Sequence, residues 1–164
     1  MTAELTHELS VETEDWHRRI PEIEPLLRRA LDAAWQVAGF DGPAEVSVVL
    51  SDDARMRRLN HAHRGQDSAT NVLAFPMGEA AFPDGPVHLG DVVLSLETLL
   101  SEAARDSKSI EAHVSHLAVH GILHLLGHDH GTAREAAEME ALEVRALKHL
   151  GYSNPYQIPA DAAE

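Results

Sequence analysis

Residues 113–131 have the sequence His-Val-Ser-His-Leu-Ala-Val-His-Gly-Ile-Leu-His-Leu-Leu-Gly-His-Asp-His-Gly and hold six of the chain's twelve histidines. The first part of this stretch predicts a helix, because apolar residues recur at three- and four-residue spacing and no proline interrupts them. On such a helix His120 and His124 lie one turn apart on the same face. Two imidazoles in this arrangement can bind one metal ion, as in helical His-x-x-x-His zinc sites.

A third metal ligand has to come from beyond this helix. His116 lies on the same helix face, but eight residues rise roughly 12 Å along a helix, whereas Zn–N bonds are about 2 Å. His116 therefore cannot easily share an ion with His124. Gly127 can close the helix in a left-handed conformation, after which the chain can offer His128 or His130. We favour His130, because two more residues give the chain room to reverse.

The alternative explanation, that these histidines are ordinary surface or core residues, would be preferred for a single histidine. Here a pair one turn apart is followed by a glycine and by further histidines, and this combination favours a metal site. Three histidine ligands leave a fourth position for water, which is typical of catalytic rather than structural zinc. The spacing alone does not identify the reaction.

Length and composition predict one domain spanning residues 1–164. Hydrophobic residues make up 44% of the 164 positions, which is enough for a core. The chain contains no cysteine, so disulfides and thiolate metal sites are excluded. No apolar run approaches the ~20 residues of a membrane span, and the acidic N-terminus does not resemble a signal peptide. We therefore expect a cytoplasmic protein that does not associate with membranes.

The chain is strongly acidic, with 13 Lys and Arg against 27 Asp and Glu and a formal charge of -14. This charge counts against a general nucleic-acid binder, whose affinity comes largely from phosphate neutralisation. It leaves room for an enzyme with a local basic patch. One cluster of arginines is present, at Arg55, Arg57, Arg58 and Arg64. We interpret the acidic runs 4–24 and 135–143 as solvated faces.

Periodicity and turn residues predict four strands and five helices. The strands are expected at 4–11, 45–50, 71–75 and 87–96. The helices are expected at 20–37, 53–61, 97–106, 110–126 and 133–150. Residues 77–86 are expected to form a loop, and the tail from about residue 153 to be flexible. The fold class is therefore α+β, a small mixed sheet of about four strands covered by about five helices, like a single-domain zinc metallohydrolase.

Residues 120–130, His-Gly-Ile-Leu-His-Leu-Leu-Gly-His-Asp-His, resemble the His-Gly-x-Leu-His-Leu-x-Gly-[Tyr/His]-Asp-His motif of the YbeY family. Two further segments resemble that family. They are residues 64–76, Arg-Gly-Gln-Asp-Ser-Ala-Thr-Asn-Val-Leu-Ala-Phe-Pro, and residues 89–93, Leu-Gly-Asp-Val-Val. Ala69 and Ala74 depart from the family's usual proline and serine, but neither is an expected metal ligand.

The resemblance implies a zinc-dependent, single-strand-specific endoribonuclease that acts in ribosomal RNA maturation, at the 3′ end of the small-subunit rRNA, and in ribosome quality control. It assigns one zinc ion per chain to His120, His124 and His130. It also makes Arg64 the functionally important arginine, and a guanidinium can bind phosphate oxygens through two parallel hydrogen bonds. The implied partners are single-stranded or ribosomal RNA, on the ribosome or its precursors, and ribosomal proteins.

The general base and the reaction leave alternatives open. Five residues are candidates for orienting a ligand, moving a proton or assisting the reaction: His128, Asp129, His116, His113 and His63. A metallopeptidase is one alternative function, although Gly121 stands where the His-Glu-x-x-His proteases carry their glutamate base. A ribosome-biogenesis binding factor with a mainly structural zinc is the other.

Overall fold

The computed structural model of the protein describes residues 5–40, 42–80 and 85–156. Four strands form one sheet: β1 (Leu5–Val11), β2 (Ala44–Ser51), β3 (Val72–Ala80) and β4 (Val87–Ser95). Six helices accompany it: α1 (Asp15–Arg19), α2 (Ile23–Ala38), α3 (Asp53–Arg64), α4 (Leu96–Arg105), α5 (Ile110–Leu125) and α6 (Ala133–His149). In the described ranges, no helix is both long and apolar enough to cross a membrane. The expected α+β class is confirmed.

The sheet is mixed, and its strand order is β1-β2-β4-β3. Strands β1, β2 and β4 run parallel, whereas β3 pairs antiparallel with β4 and forms an edge. Strand β1 forms the opposite edge and lies within the strand that the sequence predicts at 4–11, of which Glu4 is outside the described residues. The site described below is built beside the β3 edge.

Side chains of the central strands alternate between the two faces of the sheet. Val46, Val48 and Leu50 point into the main core, which they share with buried residues of α2, α5 and α6. On the other face Leu73 and Val93 form a smaller cluster with Met56 of α3. Helices α5 and α3 therefore cover opposite faces, and the edge strand β3 lies between them.

Helix α5 lies close against the sheet because residue 121 is a glycine. A Cβ atom at this position would stand 2.7 Å from Val92 Cγ1 and 3.5 Å from Val72 Cγ2. A larger side chain would therefore push the helix away from β3 and β4. In the sequence, Gly121 stands at the position where the His-Glu-x-x-His proteases carry their glutamate base. In the structure, it also allows α5 to pack closely on the sheet.

Helix α1 has no counterpart in the sequence-based prediction. It contains five residues, which is too short for a periodic pattern to be recognised. A tertiary contact holds it, because the fully buried Trp16 donates an indole N–H hydrogen bond to the Ser51 carbonyl oxygen at 3.0 Å.

Strand β3 continues to Ala80, so the prediction of a loop from residue 77 is wrong for residues 77–80. Proline lacks an N–H donor, and the pairing with β4 shifts register between Pro76 and Glu79. Because of these two features, the sequence pattern does not predict that the strand continues beyond Pro76. Residues 81–84 of the expected loop lie outside the described residues.

Candidate active site

Gly127 ends the histidine-bearing helix and turns the chain back. Its φ is 99°, in the left-handed region that favours glycine. The N–H groups of Gly127 and His128 donate to the carbonyl oxygens of His124 and Leu123, both at 3.0 Å. This pattern of hydrogen bonds is that of a Schellman closure. The turn that the sequence predicts at Gly127 is therefore present.

The closure brings His130 back beside the two histidines of α5. Ring centroids lie 4.7 Å apart for His120 and His124, 5.1 Å for His124 and His130, and 5.7 Å for His120 and His130. One nitrogen of each ring lies within 4.8 Å of the other two, so the group can hold a metal ion. His116 and His128 are not part of this group. The choice of His130 over His128 thus agrees with the geometry, and the ligand role itself stays a prediction.

Glu143 of α6 holds His120 in place. Its side chain is 1% exposed, and its Oε2 lies 2.9 Å from His120 Nδ1. The other carboxylate oxygen lies 2.6 Å from His116 Nε2 and accepts a hydrogen bond from the Tyr156 hydroxyl. When Nδ1 of His120 donates to the carboxylate, Nε2 keeps its lone pair for a metal. The arrangement therefore suits a metal ligand whose second nitrogen is fixed by a carboxylate.

The charge state of this network favours metal binding. Burial alone would raise the pKa of Glu143, but hydrogen bonds from His116, His120 and Tyr156 outweigh it and lower the pKa to about 2. Burial raises the pKa of Tyr156, and the neighbouring carboxylate raises it further, so its hydroxyl stays a donor. Burial and the neighbouring imidazoles lower the pKa of His124, which keeps its ring neutral.

Glu143 lies in the acidic run 135–143, for which the sequence predicts a solvated face and no functional residue. That prediction is wrong for this residue. Glu143 stands four residues after Met139 and four before Leu147, on the buried face of α6. The available signal was a single carboxylate among apolar residues at helical spacing. Because burying an unpaired charge is very costly, such a carboxylate is expected to have a bonding partner. Tyr156 belongs to the tail expected to be flexible; residues 157–164 lie outside the described residues.

The remaining histidine and aspartate candidates have other positions. His116 reaches the metal group only through Glu143, and its ring centroid lies 6.4 Å from that of His120. Asp129 lines the cleft described below, and its Oδ1 accepts a hydrogen bond from the His130 backbone N–H at 2.7 Å. This contact stabilises the turn that presents His130.

His113 is a core residue. It is 6% exposed, and its Nε2 lies 2.9 Å from Glu102 Oε1. Burial lowers the pKa of His113, although the carboxylate partially opposes the effect. No contact links His113 to the three-histidine group within the described chain, so an assisting role in catalysis has no support from its position.

A cleft of about 580 Å³ joins the histidines to Arg64. Its lining includes the three histidines and Asp129, His63 and Arg64 from the last turn of α3, and residues 71–76, which include the first part of β3. Arg64 belongs to the last turn of α3, where it is exposed. The structure therefore places Arg64 in the same cleft as the metal group, although the two come from helices on opposite faces of the sheet.

Two other arginines of the cluster are held by ion pairs. Arg55 pairs with Glu12 at 3.1 Å and Arg57 with Asp67 at 2.6 Å. In the part of the chain that the structure describes, Arg64 has no carboxylate within ion-pair distance. Arg64 is thus a cation in the cleft whose charge is available to a ligand.

Comparisons with known proteins agree with this site. The family model described as "Endoribonuclease YbeY" matches residues 10–151. A curated protein of that name from Chelativorans sp. (strain BNC1) is 47% identical over 154 residues, covering 92% of this chain and 93% of the relative. Another from Laribacter hongkongensis (strain HLHK9) is 47% identical over 131 residues, covering 77% of this chain and 78% of the relative.

A solved structure supports the fold. The solution structure of a Thermotoga maritima protein aligns with a TM-score of 0.54 and 20% identity, covering 94% of this chain and 100% of the other. This likeness concerns the architecture alone. The family model and the curated relatives together cover nearly the whole described chain, including the three-histidine group and Arg64. The chain therefore belongs to the endoribonuclease YbeY family.

Proposed function

We propose that this protein is a zinc-dependent endoribonuclease that cleaves single-stranded RNA during ribosomal RNA maturation. The observation that carries the proposal is the cleft that unites the three-histidine group with Arg64. Relatives at 43–47% identity are named endoribonucleases, which supports RNA as the substrate. Action on ribosomal precursors at the small-subunit 3′ end, contact with ribosomal proteins and a cytoplasmic location are proposed from the family alone.

Zinc suits the donors at this site. His120, His124 and His130 would hold one ion through three neutral imidazole nitrogens, a ligand set typical of catalytic zinc. A bound zinc ion would supply a Lewis acid that activates water and withdraws charge from the scissile phosphate. Glu143 would keep His120 oriented, with Nε2 toward the ion. His130 is exposed and borders the cleft, so the site is accessible to substrate.

Arg64 would bind the phosphate on the opposite side of the cleft. The protein carries a formal charge of -14, so its overall field repels RNA and the site has to supply local positive charge. A guanidinium offers planar paired donors to phosphate oxygens, and its interaction strengthens as negative charge develops in the transition state. Among residues 5–40, 42–80 and 85–156, no carboxylate pairs with Arg64, which suits it to this role.

The alternative of a metallopeptidase is less well supported. A side chain at position 121 would clash with Val92, so the packing of α5 on the sheet leaves no room for a glutamate there. Glu143 contacts His120, but hydrogen bonds with His116, His120 and Tyr156 occupy its carboxylate. Neither position therefore provides the free base of the His-Glu-x-x-His proteases.

Single-turnover cleavage of a single-stranded RNA tests the proposal. His124→Ala should lose both zinc and cleavage. Arg64→Ala should keep fold and zinc but cleave on the order of 10²–10³ more slowly, because one stabilising group of the transition state is gone. Arg64→Lys should recover part of the rate, since an ammonium keeps the charge but loses the planar geometry. Arg58→Ala, on the same helix but outside the cleft, is the matched control.

Three results would contradict the proposal. Equal rates for Arg64→Ala and wild type would remove Arg64 from the reaction. A zinc-loaded wild type that cleaves peptides but no RNA would favour the metallopeptidase. A protein that unfolds when zinc is removed, and that binds RNA without cleaving it, would favour the binding factor.

A further inference from the structure

The cleft extends beyond what a metal ion and one phosphate need. Its volume is about 580 Å³, within the range of pockets that hold whole small molecules. From the histidines it crosses β3 to the last turn of α3, where His63 stands next to Arg64. If Arg64 binds a phosphate of single-stranded RNA, the base of that nucleotide or of the adjacent nucleotide would therefore lie near His63.

An aromatic pair forms this end of the cleft. The ring centroids of His63 and Phe75 lie 4.9 Å apart at an interplanar angle of 55°. His63 is exposed and Phe75 is partly exposed, and both line the cleft. Met77, two residues further along β3, is 57% exposed. Every nucleobase has an apolar π-face, so stacking on aromatic side chains is a common way to hold single-stranded RNA.

The Phe75 ring and the chain segment next to His63 are fixed by their surroundings. Phe75 packs against the cluster of Met56, Leu73 and Val93, and its strand pairs with β4. The loop after α3 is tied to that helix, because Asn60 Nδ2 donates to the Ser68 carbonyl oxygen at 2.9 Å. Such fixed surfaces cost little ordering entropy on binding.

A second connection fixes the same loop. Arg57 Nε and Nη2 donate to the two carboxylate oxygens of Asp67 at 2.6 and 3.0 Å. Two connections therefore join α3 to the loop that follows its last turn, the turn that carries His63 and Arg64. The backbone positions that carry His63 and Arg64 are therefore set before any ligand arrives.

We infer that His63 and Phe75 form a nucleobase subsite that stacks one base of single-stranded RNA beside the phosphate bound at Arg64. This inference rests on the proposed function and specifies how the substrate is bound. A base in a duplex is paired and stacked between its neighbours, so it cannot enter this subsite without being unstacked. The subsite therefore gives a physical reason for preferring single strands.

The same edge is poorly suited to a peptide. A peptide that adds to β3 as a further strand would need a regular row of N–H and C=O groups. Pro76 removes one donor, and the strand is irregular between Pro76 and Glu79. The exposed apolar side chains of this segment, next to a free guanidinium, fit the alternating base and phosphate of RNA better.

RNAs with a single abasic nucleotide, placed in turn at each position around the cleavage site, test the subsite. With wild type, one position should lower kcat/KM on the order of ten-fold, the size expected for one stacked base. His63→Ala and Phe75→Leu should lower kcat/KM on unmodified RNA by a similar factor. For these two variants, kcat/KM should not fall further when the RNA is abasic at the position that matters for wild type. His61→Ala, an exposed histidine of α3 outside the cleft, should behave as wild type.

Binding of the same RNAs in the presence of a chelator, measured by fluorescence anisotropy, separates binding from cleavage. Loss of affinity at one abasic position in wild type but not in His63→Ala would support the subsite, even if no RNA were cleaved and the proposed reaction failed. Cleavage by wild type that is equally fast at every abasic position would overturn the subsite and leave the proposed reaction standing. Equal behaviour of His63→Ala and His61→Ala would also overturn it.

Discussion

The nitrogen that each histidine offers decides whether this group can bind a metal. Nδ1 of His120 is occupied by Glu143, and burial keeps the His124 ring neutral by lowering its pKa. The residue pattern was sufficient to predict His120, His124 and the turn to His130, because helical spacing and a glycine closure are local features. The role of Glu143 could not be predicted in this way, because its hydrogen-bond partners come from another helix and from the tail.

Replacing any of the three clustered histidines by alanine should release zinc, because two imidazoles hold the ion far less firmly than three. His116→Ala should keep most of it, because His116 is not part of the three-histidine group and its side chain bonds to Glu143 and Tyr156. Metal content after dialysis, with circular dichroism as a check on folding, measures this. Metal kept by His130→Ala but lost by His128→Ala would reassign the third ligand.

Glu143→Ala should weaken zinc binding about 10- to 100-fold, the usual effect of removing a carboxylate that orients a ligating histidine. Glu143→Gln should lose less, because the amide oxygen can still accept from Nδ1. Competition against a chelator of known affinity measures the change. Glu138→Ala, exposed on the same helix, is the control. Unchanged zinc affinity in Glu143→Ala would mean that the contact does not support the site.

The position of α5 against the sheet sets the geometry of the site at the level of elements. The sequence predicts this helix and its end because both depend on local spacing. It does not predict α1 or the full length of β3. The first is held by the Trp16 contact to Ser51, and the second by pairing with β4 across a proline. Both depend on partners distant in the chain.

Gly121→Ala should destabilise the protein by about 1–3 kcal/mol, because the new methyl group would overlap Val92. Urea unfolding of the metal-free protein measures the loss. Val92→Ala in the same chain should recover part of it, since the two positions are in contact. Gly131→Ala is the control, because its nearest neighbours would be 3.9 Å away. Equal stability of Gly121→Ala and wild type would show that the helix can move away freely.

At the scale of the whole molecule, an acidic protein places one exposed arginine, Arg64, in the same cleft as the three-histidine group. The cleft takes its histidines from α5 and its arginine from α3, and these helices lie on opposite faces of the sheet. Sequence alone could name the residues but could not place them together across the edge strand. That placement depends on the antiparallel pairing of β3 with β4.

Acidification should destabilise the metal-free protein. Burial lowers the pKa values of His113 and His124 in the folded state, so below about pH 6.5 the unfolded chain binds more protons and is favoured. Glu143, with a folded pKa of about 2, adds a further loss only as pH falls below its unfolded value of 4.5. The urea midpoint should therefore fall between pH 7.5 and 5.5, and less so in His113→Gln. A midpoint that rises on acidification would contradict these shifts.

The most direct test of the central claim is a zinc titration of the metal-free protein with RNA cleavage as the readout. Cleavage of a single-stranded RNA should rise with added zinc and level off at about one ion per chain, the capacity of one three-histidine site. A duplex of the same sequence should stay intact, and His124→Ala should not respond. Full activity in the metal-free protein, or an RNA left uncut at every zinc level, would contradict the account.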